Sequence, residues 1–476
     1  MSDNSNNRSA FEKQWQFMRD FYSYEVNLGL DVDLNKRLQY LPATSGIMKD
    51  LQNTETAEEA LHLYNKYYRG SLTSCKAFFR KAVNSAKNTI HRESASYEVP
   101  IEFDYILKSA TDLNDTIEEF HQSVTFSQCL LSRAGYLVEI DVDNDIKKAD
   151  FYFVSYSPEQ IKGFGYNKTA LNKKKKYAFI ILDTTNANAK ETEFTVLGIQ
   201  DGKYFQKIYE QEPDANNYDP ELEEDVAFIT YRGRFIEEIP FVFMGATSLR
   251  SDFEQPIFSN SAYLDWNYWL LSADQKQHLH ENAQGVWVFD GMSNDDMQFV
   301  RMGAGGKVNS QNPIKVYHAG VSADGLEAQR QALKDIEDSA DAENIGSIKQ
   351  VSGESGVARV TILEARTLPL VDIALTSSAG IEKLLHFIAD WSGQSRDLFS
   401  VQPNINFFAR DLDANLLREL VAAKAAGAAV SQEMIYDLLN KANIAKQTFE
   451  EVMREAEKEK IEEPEIEEEI KIEKEV

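Results

Sequence analysis

Seven short runs of β-type sequence crowd into the stretch from about Gly135 to Gly245, with helix-patterned sequence on both sides, and this placement restricts the fold more than any other feature. The runs are YLVEI, DFYFVSY, KYAFIILD, EFTVLGI, KYFQKIY, VAFITY and IPFVFMG, separated by polar, Gly, Pro or Asn segments. Their length and spacing predict strands joined as an antiparallel meander. Before them, Phe11, Trp15, Met18, Tyr22 and Val26 recur at helical spacing, as do Cys75, Phe79, Ala82, Val83 and Ala86, and then Leu113, Ile117, Phe120 and Val124. Strands grouped between helical blocks place the chain in the α+β class.

Beyond the strands the helical period returns. SNSAYLDWNYWLLSADQKQHLHENAQ, from Ser259, predicts about 25 residues of helix, aromatic in its first half and polar in its second. Two β-like runs follow, VWVFDGM and PIKVYHA, with Gly-rich sequence between them. A second helix is predicted over about 325–342, rich in charge and so poor in large apolar residues that it needs neighbours to hold it. Next come the Gly- and Ser-punctuated ENIGSIKQVSGESG and a long apolar helix over about 357–391, with Pro369 marking a kink. A strand-like INFFAR, helices near 414–426 and 431–441, and the tail IEEPEIEEEIKIEKEV complete the chain, the tail reading as disordered or as a solvated helix.

Charge and motifs exclude several functions. Lys and Arg number 50 against 77 Asp and Glu, a net charge of −27, so no basic footprint grips phosphate. That balance leaves DNA possible as passing cargo, since a conduit must not hold what it moves. No apolar run approaches a membrane span and MSDNSNNRSA is no signal peptide, so the expectation is a soluble, unsecreted protein. Cys75 and Cys129 read as buried free thiols. Gly303, Gly305 and Gly306 lack the Lys-Ser/Thr of a phosphate loop. The run Lys173 to Lys176 reads as a solvated turn, and His278 and His280, two apart on a helix, point to different faces and cannot share a metal. With no zinc-spaced Cys pair, G-x-S-x-G or H-E-x-x-H, and no carboxylate pair standing out, the expectation is a protein that is not an enzyme, with no cofactor, no metal and no catalytic residue.

One set of residues points to a family. Glu238-Ile239-Pro240-Phe241-Val242-Phe243-Met244-Gly245, then Ser251-Asp252 and Pro256, then a helix with Tyr268 and Ser272-Ala273-Asp274, resemble the segment where portal proteins (head-to-tail connectors) of tailed bacteriophages leave the wing for the stem. Ser132-Arg133-Ala134-Gly135-Tyr136-Leu137-Val138-Glu139 resembles that family's helix-to-strand step into the wing sheet. The resemblance runs, with gaps, from about Leu61 to Arg410 and leaves the first 55 residues unmatched. It implies a ring-forming portal architecture: an N-terminal helical part of the wing (1–131), a β-rich wing (132–258), a first stem helix (259–284), a small β clip (285–320), a second stem helix (321–342), a tunnel loop (343–356), a kinked wing helix and strand (357–412), crown helices (413–446) and the acidic tail (447–476).

The resemblance also implies partners and site residues. The ring, a dodecamer in the family's usual form, would sit at one capsid vertex of the virion after assembly in the host cytoplasm. It conducts double-stranded DNA as non-specific cargo and docks the terminase large subunit, the head-tail adaptor, and the major capsid and scaffolding proteins, with no membrane involved. Ile345, Gly346, Ser347, Ile348, Lys349, Gln350, Val351, Ser352 and Gly353 would line the channel; Lys349, the loop's one cation, is either a phosphate contact or an ordinary loop lysine. Asp290, Met292, Asp295, Asp296, Arg301 and Lys307 would belong to the docking clip, and Asp265, Trp269, Asp274, Lys276, Arg330 and Lys334 to the stem. Two other classes stay open at this point: an acidic scaffold or adaptor without a channel, and a metal-dependent nucleic-acid enzyme.

Overall fold

The computed structural model describes residues 4–24, 33–43, 45–68, 75–143, 148–167, 176–186, 191–283, 286–292, 313–319, 323–343 and 356–405, with isolated positions beyond 405. The chain divides into two units, Met1–Ile405 and Asn406–Val476. The elements below all lie in the first. INFFAR, the two helices expected after it and the acidic tail fall largely outside the described residues.

Among the described residues seven α-helices form the N-terminal part: α1 (Asn4–Tyr22), α2 (Leu34–Tyr40), α3 (Ser45–Gln52), α4 (Ala57–Tyr68), α5 (Phe78–Ile90), the single turn α6 (Tyr105–Lys108) and α7 (Ile117–Leu131). Trp15 and Met18 of the first expected stripe are buried, whereas Val26 lies outside the described residues. The other two stripes begin later than their apolar spacing predicts. Cys75 precedes α5, and Leu113 sits in the turn before α7, 77% exposed. The start of α7 is set instead by Thr116 and Glu119: the Thr116 hydroxyl accepts from the Glu119 N–H, and the Glu119 carboxylate accepts from the Thr116 N–H at 2.8 Å. This reciprocal cap satisfies two amides that the helix leaves free. At the other end Ser132 adopts φ +53°, which stops the helix and turns the chain into the sheet.

The strands are β1 (Ser96–Glu98), β2 (Arg133–Asp143), β3 (Lys148–Tyr156), β4 (Ile161–Tyr166), β5 (Tyr177–Asp183), β6 (Phe194–Gln200), β7 (Lys203–Tyr209), β8 (Ala227–Phe228), β9 (Thr230–Tyr231), β10 (Arg234–Phe235), β11 (Phe241–Gly245), β12 (Val286–Asp290), β13 (Lys315–Ala319) and β14 (Ser400–Gln402). They correct the expectation of one meander. Only β4 to β8 form a meander, while β2 pairs with β3 on one side and β11 on the other. The last run returns to β2 because Gly135 leaves space there: a Cβ at Gly135 would lie 2.1 Å from the Phe241 ring. VAFITY is also broken in two at Ile229: β8 pairs with β7, whereas β9 pairs with β10 across a turn in which Arg232 and Gly233 both take positive φ. The pairing of β1 with β14, which ties residues 96–98 to 400–402, has no counterpart in the sequence reading.

The main core lies where α7 and the last long helix cover the β11-β2-β3 sheet. Phe120 of α7 meets Tyr136 and Phe153 of the sheet, and Val124, Val138, Phe151, Val242, Ile381, Leu384, Leu385, Ile388 and Trp391 belong to the same cluster. The last five belong to α10 (Gly356–Ser392), a 37-residue helix with Pro369 inside it. Gly380 lets α10 approach β11 closely, because a Cβ there would fall 2.5 Å from the Met244 Sδ. The first 55 residues pack onto this frame as well: Arg19 forms an ion pair with Glu159 at 2.9 Å, and Phe11 stacks on Phe253 at 5.1 Å. Among the described residues no helix is long and apolar enough to cross a membrane.

Candidate functional site

Two antiparallel helices, α8 (Ser259–Ala283) and α9 (Ala323–Glu343), carry the β12–β13 ribbon at their far end. Their bounds follow the sequence expectation within two residues. Three contacts fix the pairing: Ser261 Oγ donates to Glu343 Oε2 at 3.2 Å, Tyr268 Oη donates to Glu337 Oε1 at 3.0 Å, and Gln329 Nε2 meets His278 Nδ1 at 2.9 Å. His278 is thus half-buried between the helices. Leu333 and Ala340 form the buried stripe of α9, and Glu327, Arg330, Gln331, Lys334, Asp335 and Asp338 its exposed face.

The six expected stem residues divide into two groups. Asp274, Arg330 and Lys334 are exposed and Lys276 is half-buried, with Arg330 paired to Glu327 at 2.7 Å on its own helix. Asp265 and Trp269 are buried within the subunit, because the aromatic half of α8 packs on the N-terminal helices. Trp269 meets Phe21 and Tyr24 edge-on, Tyr263 stacks on Phe17 at 4.9 Å, and Trp266 Nε1 donates to the Tyr40 carbonyl at 2.6 Å.

Asp265 caps a helix other than its own. Ala77, at the start of α5, has no side chain with which to cap it, and the Asp265 carboxylate accepts from the Phe78 N–H at 2.8 Å and the Phe79 N–H at 2.7 Å. Burial nevertheless outweighs these bonds and pushes the carboxyl up to about 6. Asp265→Ala, which orphans two amides, is expected to lower unfolding stability by about 1–3 kcal/mol in urea titrations. A folded pKa above the unfolded value means that the wild type loses part of its stability as pH rises from about 4 to about 6. Asp265→Asn, which has no charge to bury, should lack that loss.

Of the expected clip residues, Asp290 ends β12 and is exposed, and Met292 is half-buried. Asp295, Asp296, Arg301 and Lys307 lie outside the described residues, as do Gly303, Gly305 and Gly306. The ribbon keeps Val316 and Tyr317 exposed at 43% and 51%. The expected channel residues Ile345, Gly346, Ser347, Ile348, Lys349, Gln350, Val351, Ser352 and Gly353 also fall outside the description, between the ends of α9 and α10. Lys173 to Lys175 are likewise undescribed, while Lys176 pairs with Glu238 at 2.7 Å. Cys129 is buried, and Cys75, half-buried, lies 3.8 Å from Asp265.

A second polar cluster went unread in the sequence. His91 closes α5, Tyr97 lies on β1, and Glu118 and His121 stand one turn apart on α7. His91 Nδ1 is 2.9 Å from Glu118 Oε1, and the Tyr97 hydroxyl lies 2.9 Å from Glu118 Oε2 and 2.8 Å from His121 Nδ1. Burial lowers His121 to about 3 and keeps it neutral. For Glu118 burial acts upward, but the bonds from His91 and Tyr97 hold the carboxyl below its ordinary range. Among the described residues this is the one group of three His, Cys, Asp or Glu side chains close enough to share a metal ion. The signal available in the sequence was Glu118-x-x-His121, which places both side chains on one helical face.

Comparison with known families gives one match. A model described as a domain of unknown function (DUF4055) covers residues 258–392. That span opens just before α8 and closes at the end of α10, so it takes in the helix pair, the ribbon and the long helix as one unit. It covers less than half of the chain. No curated protein matches the sequence.

Proposed function

We propose that the chain is one protomer of a portal ring, the channel at a single capsid vertex through which double-stranded DNA is packaged and ejected. The observation that carries this reading is the α8–α9 pair with its ribbon. A two-stranded ribbon is marginal in water unless something covers it, and this one holds Val316 and Tyr317 exposed. The helix that supports it buries only a narrow stripe and turns a polar face outward, with Glu327, Asp335 and Asp338 against Arg330 and Lys334. Side by side in a closed ring, such pairs would cover one another's flanks, and an acidic lumen would repel phosphate and let DNA slide.

In this reading α8 and α9 are the stem, β12–β13 the clip that docks terminase and then the head-tail adaptor, the β2 to β11 sheets and α10 the wing, and residues 343–356 the tunnel loop. The ring is a dodecamer in the virion, built in the host cytoplasm with capsid and scaffolding proteins. It performs no catalysis of its own. Asp274, Arg330 and Lys334, exposed on the pair, are the stem residues open to a neighbour or to the lumen, whereas Asp265 and Trp269 hold the stem to the N-terminal helices.

Removing Ile348 to Ser352 tests the channel assignment in assembled particles. Ring formation is expected to persist while the DNA retained per particle falls. Unchanged DNA content, or loss of the rings, would remove the tunnel-loop assignment.

A further inference from the structure

We propose that His91, Glu118 and His121 form a binding site for a divalent transition-metal ion of the zinc type. The proposal concerns a cluster remote in sequence from the helix pair and does not depend on the assembly reading. The three residues can each offer one ligand atom, and these atoms lie within 4.8 Å of one another. Two imidazoles and a carboxylate are the donors that zinc, and not magnesium or calcium, prefers.

The proton inventory points to a cation. Ser377 Oγ lies 2.8 Å from His121 Nε2 and donates its own proton to the Ala374 carbonyl at 3.1 Å. In the tautomer in which it accepts from Nε2–H, His121 Nδ1 is left as a bare lone pair. Nδ1 and Glu118 Oε2 both face the Tyr97 hydroxyl, at 2.8 and 2.9 Å. One phenolic proton cannot serve two acceptors. In that tautomer a metal ion between the ring and the carboxylate takes both lone pairs at once.

The surroundings match those of a metal-binding histidine pair. Each ring has its outer nitrogen against a hydroxyl, His91 Nε2 on Thr125 Oγ1 at 2.9 Å and His121 Nε2 on Ser377 Oγ. Such partners fix the tautomer and aim the inner nitrogen. His91 needs only to move its proton from Nδ1 to Nε2, where Thr125 can accept it, so the exchange leaves the ring neutral. The His91 Nδ1–Glu118 Oε1 contact of 2.9 Å is held by a proton; tetrahedral zinc at about 2.0–2.1 Å from each ligand separates two ligand atoms by roughly 3.3 Å, so this pair must open by about half an ångström. Beside the two rings lies a cavity of about 10 Å³, lined also by Ser378, whose buried Oγ has no partner among the described residues. That space suits one water next to the ion. Glu118, with 22% of its side chain exposed, gives the entry path.

The experiment is a titration of the untagged full-length chain with Co²⁺ as a coloured stand-in. The strong visible absorption of four-coordinate cobalt should appear, saturate at one ion per chain and vanish when Zn²⁺ is added. Zn²⁺ but not Mg²⁺ should raise the melting temperature, since only the native cluster binds. Glu118→Gln, nearly isosteric, should weaken Co²⁺ binding at least tenfold, and His91→Gln should do the same. Undiminished affinity in a folded form of either variant would overturn the proposal. If neither variant folds, the wild-type spectrum decides: only the weak absorption of six-coordinate cobalt, or no saturation up to about a hundredfold excess over protein, rules the site out.

Discussion

Trp391→Ala is expected to lower the stability of the chain by about 3–5 kcal/mol, the range for truncating a large aromatic side chain in a packed core. Trp391 is 1% exposed and sits near the end of α10, with ring centroids 5.9 Å from Phe151 on β3 and 5.9 Å from Tyr204 on β7. It therefore joins the long helix to both sheets. Domains of this kind are held by about 5–15 kcal/mol in total, so the loss is a large fraction of what exists. Urea unfolding followed by tryptophan fluorescence and circular dichroism measures it. A shift below about 1 kcal/mol would mean that α10 docks on the sheets without this anchor, contrary to the core described above.

The second large effect concerns assembly and rests on the ring reading. Leu368 and Leu375 stand two turns apart on α10, 64% and 47% exposed, with Asp372 and Ala379 on the same open stripe. If a neighbouring protomer covers that stripe, the double variant Leu368→Asp, Leu375→Asp places two carboxylates in an apolar contact at every interface of the ring. Each unpaired buried charge costs several kcal/mol, whereas on a free surface the same changes stay within about 0.5 kcal/mol. The expected result is an unchanged unfolding midpoint together with a shift from ring to monomer in sedimentation velocity. Intact rings in the double variant would show that the stripe faces something other than a neighbour.

Much of the architecture was legible because it rests on local pattern. The 25-residue length of α8 follows from an unbroken aromatic-to-polar run, and α10 follows from an apolar run that even Pro369 does not end. Pairing was not legible, because alternation marks a strand without naming its partner. The return of β11 to β2 depends on Phe241 filling the space over Gly135, and the β1–β14 pair joins segments some three hundred residues apart. Helix starts were misjudged where apolar spacing was followed past a cap, as at Leu113, although Thr116-x-x-Glu119 was there to be read.

The same limit governs the sites. Asp265 was expected as a stem residue from its place on α8, but its carboxylate serves α5, and no sequence pattern tells which helix end a distant Asp will cap. The His91, Tyr97, Glu118 and His121 cluster draws on α5, β1 and α7, with Ser377 of α10 behind it. Only its Glu118-x-x-His121 half is visible along the chain. The acidic balance, by contrast, was readable from composition.

Negative-stain electron microscopy of the purified protein at micromolar concentration shows whether the chain closes into the proposed ring. Closed rings are expected, viewed end-on, with a central hole wide enough for a DNA duplex, about 20 Å or more across, and this hole should persist from low to moderate salt because apolar cover and not surface ion pairing holds the flanks together. A uniform field of monomers or dimers across those conditions would contradict the ring.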